Sequence, residues 1–160
     1  MGVLVKDLQK NLKIKEKELT AVISFIMADL GIGGKQICFV FMNNQAISKL
    51  NKKYFGRKSP TDVISFNLDD RIDPSKTMGE VFISVEQALI NADKFGVRVQ
   101  SELVRYIIHG LLHILGYDDL NAVYKKKMKI KEEALLKKTE NKFTGGSKIF
   151  FTRNKNKLNL

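Results

Sequence analysis

Apolar positions along this chain alternate between helical spacing and short unbroken runs. Leu19, Val22, Ile23, Ile26 and Leu30 recur at three to four residues, which predicts a helix over 17–30 that Gly31, Gly33 and Gly34 end. Gln36 to Met42 is an apolar run of strand length and reads as a buried strand. Asn43 or Asn44 is placed to cap a helix running to about Tyr54. Gly56 to Pro60 reads as a loop, Val63 to Phe66 as a second strand, Asp69 to Thr77, with Pro74, as a polar loop, and Gly79 to Ser84 as a third strand. Ser84 caps a helix that ends near Gly96. Ser101 opens another, in which Leu103, Val104, Ile107, Ile108, Leu111, Leu112 and Leu115 cover most of the circumference. A helix with so little polar surface belongs in the middle of a fold, and Gly116 ends it. Asn121 to Lys137 reads as a basic amphipathic helix. From there on no period is visible, so the pattern predicts one domain over 1–137 followed by a basic, flexible tail over 138–160. Helices interleaved with short strands predict an α+β (α/β layer) fold, a small mixed β-sheet covered by helices.

Composition narrows the class. A chain of 160 residues, 44 % of them apolar, builds one domain with a real core. Its single cysteine, Cys38, excludes an internal disulfide and sits inside an apolar run, as a small core hydrophobe does. A reducing cytoplasm is the compartment this implies. Residues 1–20 are too charged for a signal peptide. The most apolar stretch, Ala21 to Leu30, is interrupted by Ser24 and Asp29 and is too short to span a bilayer, so a soluble protein without membrane contact is expected. The net charge of +11 is unevenly placed: residues 125–160 carry +9 and the first 124 only +2. A basic block of this kind draws phosphate backbones by counterion release, and Lys125 and Lys126 head it; the bland alternative is a solvated helix face with a loose extension.

The chemistry is concentrated in one string, His109-Gly-Leu-Leu-His113-Ile-Leu-Gly116-Tyr-Asp118-Asp119. The two histidines are the only ones in the chain. Four residues apart on a helix, they lie one turn above each other on one face, so their imidazoles can converge on a metal ion. A third ligand must approach from another direction. Gly116 tolerates the left-handed turn that brings the chain back, and Asp118 and Asp119 follow it. Two imidazoles among Leu and Ile are costly to bury unless bonded, which weighs against simple core filling. Metalloprotease helices carry a glutamate after the first histidine as general base. Here that position is Gly110, which argues against a peptidase.

These residues resemble the YbeY family of ribosomal-RNA maturation endoribonucleases, whose hallmark is His-Gly-x-Leu-His followed by Leu-x-Gly-Tyr-Asp-His. Leu50-Asn51-x-x-Tyr54 with Pro60-Thr61-Asp62-Val63-Ile64-Ser65-Phe66, Met78 to Ser84, and Glu132 with Leu135 resemble further segments of the family pattern, over roughly residues 15–137. The resemblance implies a zincin-like metal helix on a small mixed sheet. It implies one zinc ion per chain and single-strand RNA cleavage in 16S rRNA maturation and quality control of the small ribosomal subunit. It also makes Asp119 the third ligand beside His109 and His113, with Asp118 orienting a histidine or the turn. Two positions depart from the family: its third histidine is Asp119, and its arginine after the Leu-Asn-x-x-Tyr segment is Phe55, with Arg57 the nearest substitute phosphate contact. Two histidines plus a carboxylate also suit Fe(II) or Mn(II). In the family's place Thr61 and Asp62 line the cleft; otherwise they cap a turn. Glu80 either meets a histidine or faces solvent. Tyr54, Phe55 and Phe66 either stack bases or fill the core.

Two readings of function follow. The first is a metal-dependent single-strand endoribonuclease. The second is a non-catalytic, metal-stiffened RNA-binding factor in ribosome assembly, suggested by the two departures. An Fe(II) oxygenase, suggested by ligand type alone, lacks the alternating strands of a barrel.

Overall fold

The structure, a computed structural model, describes residues 2–68, 78–143 and 150–153. In chain order the elements are β1 (Val3–Asp7), β2 (Leu12–Ile14), α1 (Glu16–Asp29), β3 (Ile37–Met42), α2 (Asn44–Phe55), β4 (Val63–Asn67), β5 (Gly79–Ser84), α3 (Val85–Phe95), α4 (Val99–Ile114), α5 (Ala122–Phe143) and β6 (Phe151–Arg153). The loop expected over 69–77 lies outside the described residues.

All six residues of β3 are buried. A strand apolar on both faces needs cover on both, and β3 has it. Ile37, Phe39 and Phe41 enter the main core with α1, α3, α4 and α5, while Cys38, Val40 and Met42 enter a smaller core with Ile47 of α2. The sheet order is β1-β3-β5-β4. β1, β3 and β5 are parallel, and β4 closes the edge antiparallel to β5. This is the mixed sheet expected, with helices on both faces. No described helix is long and apolar enough to cross a membrane. Burial raises the Cys38 thiol, with Lys6 opposing and Glu80 adding, so it stays protonated in the core.

Three expectations are corrected. The last helix does not stop at Lys137 but runs to Phe143, with Thr139 buried and Phe143 packed edge-on to Phe25 at 5.5 Å. The flexible tail expected over 138–160 is corrected only where it is described, at 138–143 and 150–153, which lie against the domain. Phe150 is fully buried, its carbonyl accepts from Lys15 N–H at 2.6 Å, and β6 pairs antiparallel with β2. The dense lysines hid a sparse stripe of Met128, Leu135, Leu136 and Thr139, and a three-residue strand leaves no period to read. The rest of the expected tail, 144–149 and 154–160, lies outside the described residues. Likewise α4 begins at Val99 rather than Ser101.

Candidate metal centre

α4 lies close against the sheet because Gly110 lets it. A Cβ there would stand 2.5 Å from Val81 Cγ1, 3.0 Å from Ser65 Oγ and 3.2 Å from Val63 Cγ2. The glycine is therefore a packing requirement as well as the absence of a protease base. Two polar side chains of β4 fix the helix at that distance. Ser65 Oγ donates to the Gly110 carbonyl at 3.0 Å, and Asn67 Nδ2 donates to the Ile114 carbonyl at 3.0 Å. The position of His109 and His113 relative to β4 is thus set by hydrogen bonds as well as packing.

The end of α4 supplies the next piece. Gly116 has φ +93°, its N–H bonds the His113 carbonyl at 3.0 Å, and Tyr117 N–H bonds the Leu112 carbonyl at 3.0 Å. This paired closure satisfies two orphan carbonyls of the helix end. It also aims the Tyr117 carbonyl at His113 Nδ1, 3.1 Å away. His109 Nδ1 faces a different acceptor, Glu132 Oε2 of α5, at 3.4 Å. Carbonyl and carboxylate oxygens only accept, so each Nδ1 carries its ring's proton and each neutral Nε2 presents a lone pair. The two Nε2 atoms stand 3.0 Å apart. Two lone pairs held face to face call for a cation between them, either a shared proton or a metal ion. Nitrogens sharing one ion at about 2.0–2.1 Å must lie within about 4 Å of each other, and these do.

The protonation of the rings agrees. For His109 burial pulls the pKa down, but the hydrogen bond and charge of Glu132, with Asp62 and Asp119 adding, win and raise it. For His113 burial and the neighbouring His109 lower it, against Asp119, the Tyr117 carbonyl and Asp118. The pair holds one proton more readily than two.

The carboxylates part company. Asp119 is exposed and lines an open cleft with His113, but no three His, Cys, Asp or Glu side chains gather tightly enough to hold a metal ion among the described residues. Asp118 closes the turn by accepting from Leu120 N–H at 3.2 Å, and its charge acts on His113. Arg57 and Thr61 do reach the Asp119 cleft, together with Phe55, Asn51 and Asn67. Lys125 and Lys126 do not line it; they stand exposed on α5. Asp62 accepts from Val63 N–H at 2.9 Å and from the Thr61 hydroxyl at 3.2 Å, as a turn cap does. Glu80 pairs across the sheet with Cys38 and Phe66 on the α2 face, away from the histidines.

Sequence reasoning gave no site role to Glu132 or Asn51. Glu132 is buried between His109 and Arg105, whose guanidinium lies 3.7 Å from it. Its signal was an acid inside the apolar stripe of α5. Asn51 is buried, donates to the Ser59 carbonyl at 2.9 Å and takes the Arg57 N–H on its own carbonyl at 3.3 Å, pinning the loop that carries Arg57.

The family model for the endoribonuclease YbeY matches residues 4–140. This chain belongs to the YbeY family. It is 34 % identical over 125 residues to the endoribonuclease YbeY of Syntrophus aciditrophicus (strain SB), covering 76 % of this chain and 78 % of that protein. With the endoribonuclease YbeY of Borreliella afzelii (strain PKo) it shares 34 % identity over 140 residues, 81 % and 92 % of the two chains. Its fold is that of the solution structure of TM1509 from Thermotoga maritima, with a TM-score of 0.63 over 88 % of this chain and 90 % of that one at 24 % identity. Membership of the YbeY family makes the protein an endoribonuclease with an RNA substrate and a metal cofactor. It decides against the non-catalytic reading.

Proposed function

We propose that the chain cleaves single-stranded RNA with one zinc ion held by His109, His113 and Asp119, acting in the cytoplasm in 16S rRNA maturation and small-subunit quality control. The small ribosomal subunit or its proteins are the partners this implies. The observation that carries the reading is the histidine pair: two Nε2 lone pairs 3.0 Å apart, each ring locked by an acceptor on its Nδ1, at the edge of a cleft bearing Arg57 and Thr61.

His109 and His113 would hold the metal through Nε2, with Glu132 and the Tyr117 carbonyl orienting the rings. Asp119, on the same cleft as His113, would supply an oxygen donor. A divalent ion there supplies Lewis-acid activation of water and a countercharge for the phosphodiester. Arg57, held by the Asn51-pinned loop, meets the RNA phosphate where the family arginine is replaced by Phe55. Thr61 offers a hydroxyl from the same wall. Two imidazoles and one carboxylate also accept Fe(II) or Mn(II), so the protein should tolerate exchange among these metals.

Metal content and RNA turnover test this together. Purified protein should carry about one transition-metal ion per chain, most of it zinc, and cleave an unstructured RNA oligonucleotide. Chelation and His113→Ala should abolish both metal and cleavage. Full cleavage by metal-free protein would refute the reading.

A further inference from the structure

Phe55 stands where the family pattern has an arginine, and its surroundings are those of a platform. It is the last residue of α2, and Gly56, at φ +66°, turns the chain away at once. The ring is left 53 % exposed at the helix end. It lies parallel to Phe66, 10° between planes and 6.2 Å between centroids. Phe66 is itself held edge-on by Tyr54 at 4.9 Å and by Phe82 at 5.8 Å. A half-exposed ring stacked on Phe66, which Tyr54 and Phe82 brace in turn, keeps one side toward solvent.

That side belongs to the cleft shared by His113, Asp119, Arg57 and Thr61. The segment 44–61 around it contains Lys49, Lys52, Lys53, Arg57 and Lys58 and no acidic residue. The cleft's other walls include Asn51, Ser65 and Asn67, too polar to favour an apolar peptide. A flat aromatic face beside a guanidinium in a polar cleft is a combination that binds single-stranded nucleic acid: Arg57 takes a phosphate and the ring takes a base. A base inside a duplex has both faces covered and cannot use the platform.

We propose that Phe55 is a base-stacking subsite of this cleft, on which an unpaired nucleobase of the RNA lies while Arg57 takes an adjoining phosphate. The subsite selects unpaired nucleotides next to the metal centre, and it deepens the single-strand reading given above, on which it rests.

The chain contains no tryptophan, so Phe55→Trp creates a sole indole at the site. A short single-stranded RNA should quench its fluorescence. The same strand with abasic sites, or annealed into a duplex, should not. Phe55→Leu keeps the apolar contact with Phe66 but removes the aromatic face. It should raise KM for the single strand by roughly tenfold to a hundredfold, with little change in kcat and none in metal content. Equal quenching by the abasic strand, or unchanged oligonucleotide affinity in Phe55→Leu, would overturn the proposal. If metal-free protein still cuts RNA in full, the metal reading given above falls, while fluorescence and affinity still decide the stacking.

Discussion

Two imidazoles fixed with their Nε2 atoms 3.0 Å apart compete for one positive charge. In metal-free protein that charge is a proton, and Glu132 biases it toward His109. With only two histidines in the chain, both can be followed by NMR. After chelation His109 should titrate above the ordinary imidazole value and His113 below it. In Glu132→Gln that charge is gone while burial, Asp62 and Asp119 remain, so His109 should titrate lower than in the unsubstituted protein. Metal affinity should drop by about 10- to 100-fold, as for other partners that orient a ligand. An unmoved His109 would show that Glu132 is only a core ion-pair member. Proton and metal want the same lone pair, so metal affinity should also rise with pH through the His109 titration. A separate comparison concerns the carboxylates. Asp119→Ala should weaken metal binding far more than Asp118→Ala, and Asp119→His should tighten zinc; the reverse order would name Asp118 as the donor. At this scale the sequence showed the histidine pair and both acids, because local spacing determines them. It could not give Glu132 a role, since 23 residues separate it from His109 and only the packing of α5 on α4 joins them.

A helix that carries ligands must be set at a defined height above its sheet, and Gly110 sets it for α4. Alanine would recover about 1 kcal/mol of helix propensity. It would also force a methyl to 2.5 Å from Val81. Overpacking of this kind costs about 1–3 kcal/mol. The contacts are to β-branched side chains on strands that Ser65 and Asn67 tie to the helix, so little relaxation is available. Gly110→Ala should therefore lose up to about 2 kcal/mol net in denaturant titration and weaken metal binding; a more stable variant would refute the argument. Elements with caps were readable: Asn43 and Ser84 each accept from a backbone N–H at the start of α2 and α3. The unread elements are β1, β2 and β6. In β1, Lys6 and Asp7 dilute the apolar pattern, as suits an edge strand, and three-residue β2 and β6 exist only as a pair.

At the scale of the molecule, the C-terminal segment is structural. Phe150→Ala should cost about 3–5 kcal/mol, the usual loss for a fully buried phenyl group. A chain cut after Lys138 loses Thr139, Phe143 and Phe150 from the packing and should melt at least several degrees lower. Melting unchanged by this truncation would restore the picture of a loose tail. The layered α+β arrangement was legible because apolar runs and helical stripes dominate it, whereas the return of the chain end was not, because one buried phenylalanine among lysines has no periodicity. The β2–β6 register, with Leu12 opposite Arg153, also governs the order of events in folding. It closes nearly the whole chain into one loop, and contacts so distant in sequence are reached late because the entropy of closure precedes any reward. The parallel core of β1, β3 and β5 spans a shorter stretch, so refolding should bury α4 before it seals Phe150. In pulse-labelled hydrogen exchange the Lys15 amide, which bonds the Phe150 carbonyl, should gain protection after the amides of α4. The metal helix would then be in place before the molecule has finished closing.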